Sequence, residues 1–302
     1  MYKVQYPQED ITMTQLEIQF LQFLESLRTD FSVKLFEGIT MLGEETILIL
    51  LIAVLYFAYD KRLALQIGYI TITSMCVNNT VKNLVKRPRP FASGEVNPAR
   101  AHTATGYSFP SGHTQTFATW STAFAMYFKK TWVSVLAGIG IVAVAFSRLF
   151  LGVHYPSDVI VGAVLGVAIA IGLSIVYDKT KNVHKLYGIT ALMMLPFAIG
   201  FMITADPLYD DFFKLYGMLT GLYFAAGLEE KYAPVEYGVA WWKKVLRVVI
   251  AVGVVFAVKE GIKVVDVFDI LRVSLLLDAI RYMLVVIIGF GVCPIIFKKI
   301  NM

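Results

Sequence analysis

Apolar runs long enough to cross a bilayer recur along almost the whole chain, and this repetition limits the fold more than any single motif. A hydrocarbon core of about 30 Å needs roughly 20 apolar residues in a helix, fewer where the bilayer thins. About nine such runs can be read, at 44–59, 62–84, 113–128, 131–149, 157–177, 186–204, 212–228, 243–260 and 274–297. Backbone polar groups in hydrocarbon must be satisfied within the segment, so runs of this kind are expected as helices. The fold class expected is all-α, a polytopic membrane helical bundle. A charged fraction of 16% among 302 residues and a mean hydropathy of +0.66 agree, since soluble domains carry roughly a quarter charged residues. A disordered chain, a secreted disulfide scaffold and a soluble nucleic-acid binder are excluded.

Residues 13–40 are amphipathic but too charged to span. Glu17, Glu25, Arg28, Asp30, Lys34 and Glu37 interrupt Leu16, Phe20, Phe23, Leu24 and Leu27, which predicts one or two helices lying in the membrane interface. The expected division is an interfacial segment over 1–43, a catalytic helical core over 44–180 and accessory transmembrane helices over 181–302. The N-terminus lacks a basic start followed by an apolar core, so no cleavable signal peptide is expected. Cys76 and Cys293 lie in apolar segments and match no metal spacing. Gly162 and Gly166 form a GxxxG pattern, read as close helix packing.

The net charge of +5 fits the Lys/Arg bias of cytoplasmic loops better than nucleic-acid binding. Lys61, Arg62, Lys129, Lys130, Lys179, Lys181, Lys185, Lys231, Lys243, Lys244, Lys298 and Lys299 fall in one set of loops, which is expected to be cytoplasmic. The long loop 85–112 and the turn at 150–157 fall in the opposite set. Both are basic against the rule, which suggests that their charge is kept for a ligand.

Three stretches carry the residues capable of chemistry. Lys82 ends one span and Arg89 follows in an extended, proline-flanked segment. Pro110-Ser111-Gly112-His113 precedes another span, where free N–H groups and the helix dipole favour an anion and glycine admits close approach. Ser147-Arg148 leads to His154 and Asp158, the latter in the first turn of the next span. A carboxylate four residues after a histidine can hold one ring nitrogen and leave the other as nucleophile or base. Each stretch alone has an ordinary structural explanation: a snorkelling anchor, a helix cap, a structural hydrogen bond. On one membrane face together, two histidines, a carboxylate and three cations are an inventory for binding and attacking a phosphate. Only His113, His154 and Asp158 could ligate a metal, and the neighbouring cations oppose one. Spacing alone leaves open which histidine is the nucleophile.

These residues resemble the type 2 phosphatidic acid phosphatase superfamily of integral-membrane lipid phosphatases, whose active-site pattern is shared with vanadium haloperoxidases. The pattern K-x6-RP, PSGH and SR-x5-H-x3-D is present in order, and with its helices it covers about 44–177. Thr40 to Glu45, TxLGEE, is also similar to a stretch ahead of the core in sphingoid-phosphate phosphatases. The resemblance implies that His154 attacks phosphorus, that Asp158 orients it and that His113 protonates the leaving group. Lys82, Arg89, Ser111, Gly112 and Arg148 would hold the phosphoryl oxygens. No cofactor or metal is implied. The expected partners are the bilayer and a lipid phosphate or diphosphate: polyprenyl diphosphate, phosphatidate, phosphatidylglycerol phosphate or a sphingoid phosphate. The active site is expected on the extracytoplasmic face of the plasma membrane. The rivals are a lipid-linked phosphotransferase using the same site, and a transporter with a basic mouth. The oligomeric state is left open.

Overall fold

The computed structural model describes residues 8–232, 235, 237–261 and 271–302, and every regular element among them is helical. The order is α1 (Gln8–Ser26), α2 (Asp30–Thr40), α3 (Glu45–Val54), α4 (Lys61–Val85), α5 (Gly112–Phe128), α6 (Thr131–Phe150), α7 (Pro156–Lys179), α8 (Val183–Thr204), α9 (Asp210–Tyr232), α10 (Trp241–Gly261), α11 (Leu271–Val286) and α12 (Cys293–Lys299). A π-helical turn, Leu55–Tyr59, extends α3, and another, Ile287–Val292, joins α11 to α12.

The apolar runs thus become helices near their expected bounds, but their number as membrane spans does not follow. Four helices are each long and apolar enough to cross: Thr131–Phe150, Pro156–Lys179, Val183–Thr204 and the continuous Leu271–Lys299. A fifth crossing arises if Asp30–Gly43 and Glu45–Tyr59, bent by 52°, make one span. The reason is clearest at α4. Its Gln66, Thr71, Thr73, Ser74, Asn78 and Asn79 are buried, so its polarity faces protein rather than lipid. Asn78 Nδ2 donates to Gln115 Oε1 at 2.7 Å, and Gln115 Nε2 donates to the Ser74 carbonyl at 2.9 Å. Such pairing satisfies polar groups that hydrocarbon would penalise.

Helices α4 to α7 surround the three motif stretches. Gly162 and Gly166 on α7 serve the packing expected of them. A Cβ at Gly162 would lie 2.8 Å from the Ser111 carbonyl oxygen, and one at Gly166 would lie 2.7 Å from that of Gln115. The bare backbone of α7 therefore seats the start of α5. Gly217 and Gly221 on α9 admit α11 in the same way, with Cβ positions 2.0 Å from the Ala279 oxygen and 2.8 Å from the Met283 oxygen. At one end of the bundle Lys61 Nζ pairs with Glu229 at 2.9 Å, tying α4 to α9.

Segment 13–40 forms two helices. Thr29 and Ser32 make a reciprocal capping box that starts α2. The inward face of α1 differs from the apolar set read along the sequence. Ile18, Leu21 and Leu24 are buried against Val96, Leu149, Phe150, Tyr155 and Val159. Leu16, Phe20, Phe23 and Leu27 point outward, each more than 40% exposed. This outward stripe beside charged residues suits the interface of a bilayer.

Candidate active site

The long loop is ordered by the helices around it. Lys86 adopts a left-handed conformation (φ 54°) and ends α4. The Ser108 N–H donates to the Arg87 carbonyl at 2.8 Å, closing the loop on itself, and the Ala99 N–H donates to the Leu151 carbonyl at 3.0 Å. Gln22 on α1 donates to the Glu95 carbonyl, and Glu25 accepts from Asn97. Phe109–Pro110 is a cis peptide. The Ser111 N–H donates to the Asp158 carbonyl at 2.9 Å, joining the second motif stretch to the third.

His154 sits at the centre and is 1% exposed. Its Nε2 lies 2.9 Å from Arg89 Nη1, and its Nδ1 lies 3.3 Å from Asp158 Oδ2. A guanidinium only donates, so Nε2 carries the lone pair and Nδ1 the proton, which points at the carboxylate. Burial pushes the imidazole well below its usual pKa, and the charges of Arg89, Arg148 and Lys82 add to this. The ring is therefore neutral, with its basic nitrogen facing the cations. Burial also lowers Arg89 to about 10, which leaves it charged at neutral pH. Its other donors go to the carbonyls of Val153, Gly106 and Thr105 at 3.0, 3.1 and 2.5 Å.

Asp158 does more than hold His154. Its Oδ2 also accepts from Ser108 Oγ and from the Tyr155 N–H at 2.9 Å, capping its own helix. Its Oδ1 accepts from Arg87 Nη1 at 2.9 Å. Arg87 lies over the Tyr155 ring at 3.9 Å and pairs with Glu17 of α1 at 2.5 Å. Glu17 in turn accepts from the Ser157 N–H and hydroxyl. Arg87, Ser108 and Glu17 were not among the residues singled out by the motifs. An arginine two residues before Arg89 and a carboxylate inside an amphipathic helix were the available signals.

A cavity of about 560 Å³ opens at this site. Lys82, Arg89, Gly112, His113 and His154 line it, as do Glu44, Asp211 and Lys214. Lys82 Nζ donates to the Tyr107 carbonyl at 2.8 Å. His113 Nε2 has no hydrogen-bond partner and lies 4.0 Å from Glu44 Oε1, which pairs with Arg100. Three motif residues stand behind the wall instead. Ser111 is fully buried, with its hydroxyl 3.0 Å from that of Thr114. Asp158 is buried behind His154. Arg148 is 0% exposed and donates to Thr40 Oγ1 at 3.0 Å, while its Nε and Nη2 have no partner. A buried cation with open donors is costly until an anion completes it.

The positive loop is partly neutralised from within, which revises the reading that all its charge waits for a ligand. Arg87 is held by Glu17 and Asp158, Arg100 by Glu44, and Lys86 by Asp206 at 3.7 Å. Lys82, Arg89 and Arg148 are the motif cations without a carboxylate within ion-pair distance among the described residues.

Comparison with known proteins gives two family matches. The PAP2 superfamily model matches residues 63–182, and the model for the transmembrane extension of PAP2 superfamily phosphatases matches 213–302. An undecaprenyl-diphosphatase of Sulfolobus acidocaldarius is 30% identical over 134 residues, covering 44% of this chain and 63% of that protein. A decaprenylphosphoryl-5-phosphoribose phosphatase of Mycobacterium tuberculosis is 33% identical over 138 residues, covering 44% of this chain and 73% of that one. The crystal structure of a transmembrane PAP2-type phosphatidylglycerolphosphate phosphatase from Bacillus subtilis aligns with 57% of this chain and 89% of its own. Its identity is 24% and its TM-score 0.49.

Proposed function

The chain belongs to the PAP2 superfamily, and on that premise we propose that it is an integral-membrane lipid phosphatase working through a phosphohistidine. The observation that carries this reading is the line Asp158–His154–Arg89, in which the unprotonated Nε2 of His154 sits against the Arg89 cation and His154 lines a cavity together with Lys82 and His113.

In the first step the Nε2 lone pair attacks phosphorus and forms a P–N bond. The bond from phosphorus to the leaving oxygen breaks, and His113 gives that oxygen a proton. Asp158 stabilises the imidazolium through Nδ1–H. In the second step water attacks phosphorus, His113 takes its proton, and the P–N bond returns its electrons to Nε2 as phosphate leaves. Arg89, Lys82 and Arg148 balance the charge on the phosphoryl oxygens. Gly112 brings the N–H groups at the start of α5 to the cavity, and Ser111 sets that turn from behind. No metal enters the scheme: Lys82, Arg89 and Arg148 supply the positive charge that the phosphoryl oxygens need.

The proposed arrangement is about nine membrane helices, counting the buried α4 and α5 as spans, with an interfacial 1–43, a catalytic core 44–180 and an accessory bundle 181–302. The site faces away from the cytoplasm, in the plasma membrane. Purified protein given a panel of polyprenyl diphosphate, phosphatidate, phosphatidylglycerol phosphate and sphingoid phosphate should release inorganic phosphate from at least one. Release should survive EDTA, fall with vanadate and vanish with His154→Ala, together with an acid-labile phosphoenzyme. Transfer of phosphate to a lipid or sugar acceptor without free phosphate would overturn hydrolysis.

A further inference from the structure

The cavity does not end at the phosphate groups. It continues along α4 from Lys82 past Asn79, Met75 and Ile72 to Thr71. At 1.5 Å per residue these eleven steps span about 16 Å. This is close to half of a hydrocarbon core of about 30 Å, the depth one leaflet's chains occupy. Below the polar end the walls are apolar, and much of them comes from outside the catalytic core. Leu215 and Met218 of α9, Ala251 and Val255 of α10, and Val285 and Phe290 of α11 and its π-turn face the cavity. Ile49, Ile52 and Ala53 of α3 line it as well.

The wall is pinned at both ends. Lys259 of α10 pairs with Glu45 at the start of α3 and lies 5.8 Å over the Tyr282 ring. At the far end Tyr56 donates to the Phe290 carbonyl at 2.9 Å, and Phe57 and Phe290 stack at 6.5 Å. Phe57 and Phe290 form the floor. A water-filled channel would suit this lining poorly, because an apolar cavity offers water few partners.

We propose that α9 to α11 form the binding site for a single hydrocarbon chain of the lipid phosphate, with Ala251 and Phe290 setting the length it accepts. The proposal rests on the phosphatase reading for its polar end and adds the substrate class: a lipid whose phosphate lies at His154 and whose one chain runs inward between α3, α4 and α10. Chain carbons lie against Val255 and Met218 and then against Ala251, and the chain stops at Phe290. A larger residue at position 251 shortens the space, and a smaller one at position 290 extends it.

The test uses single-chain alkyl phosphonates, which cannot be hydrolysed, in a length series with the full chain in detergent. Wild-type affinity should rise about fourfold per added methylene until the chain reaches the floor, the gain of burying each one. Ala251→Leu should bring that plateau to a shorter chain and Phe290→Ala to a longer one. Val249→Leu, on the exposed face of the same helix, should keep the wild-type profile. Thermal unfolding checks that each variant is folded, and the two opposed variants guard against loss of either. Affinity that ignores length, or a plateau that neither variant moves, overturns the proposal. Hydrolysis of the matching alkyl phosphates is measured alongside. Length-dependent binding without hydrolysis overturns the phosphatase and leaves the chain site standing; hydrolysis with length-independent binding does the reverse.

Discussion

Arg87 and His154 share Asp158 without competing for it: Arg87 takes Oδ1 at 2.9 Å, and His154 Nδ1 faces Oδ2 at 3.3 Å. The guanidinium therefore fixes the carboxylate plane that aims the imidazole, and Glu17 fixes the guanidinium.

Arg87 is accordingly expected to act as a positioning residue. Arg87→Met should lower kcat about 10²-fold, the scale of a misplaced reacting group, with little change in KM. It should also destabilise the fold by about 3–5 kcal/mol, because two carboxylates lose their partner. Arg87→Lys should restore part of kcat. Glu17→Gln should show a smaller loss of the same kind. Steady-state kinetics on folded protein check this, and a change confined to KM would count against it.

His113 lines the cavity and lacks a hydrogen-bond partner, as suits a group waiting for substrate. His113→Ala should slow turnover by about 10²–10⁴-fold, the usual contribution of a general acid–base group. The loss should be greatest for poor leaving groups. Rapid-quench trapping should find phosphoenzyme still forming in this variant, and normal turnover would reduce His113 to a helix-start residue.

The lowered pKa of His154 has a definite sign. Because burial and the surrounding cations favour the neutral ring, His154, the proposed nucleophile, stays unprotonated as pH falls through the ordinary histidine range. The acid limb of kcat/KM, which reports the free enzyme, should therefore lie below about 6.5. Bound phosphate adds negative charge beside the ring, so the acid limb of kcat should lie higher than that of kcat/KM. A pH–rate profile on a substrate that does not titrate over this range distinguishes the two limbs.

Sidedness can be read with thiol labelling, because the native Cys76 and Cys293 are both buried. Ala92→Cys, exposed in the long loop, should react with an impermeant reagent in intact cells. Lys181→Cys, exposed between α7 and α8, should not. The opposite pattern would make the substrate a lipid of the cytoplasmic leaflet.

The sequence was most informative where the chemistry is local. His154 and Asp158 meet because they are four residues apart at the start of a helix. Gly112 and His113 line the cavity because their motif opens α5. The Arg87–Glu17 pair spans 70 residues, so only the folded chain brings it together. Ser111 and Arg148 both lie buried behind the cavity wall, and the side chain of Ser111 turns to Thr114, a choice of rotamer that spacing does not encode. The apolar residues of α10 read alike whether they meet lipid, protein or a cavity. Hydrophobicity therefore located the helix and left its faces undetermined, as the outward Phe20 and Phe23 of α1 also illustrate.

The cavity has one wall from residues 43–154 and another from residues 211–290, and this bears on how such a protein can change over time. Substitutions in the later stretch can retune which lipid fits while the reacting groups stay untouched, so preference and chemistry can drift on separate parts of one gene. The converse is equally binding: neither stretch encloses the space alone. A chain cut between α8 and α9 would recover its lipid preference only when both fragments are made in the same membrane and reassemble.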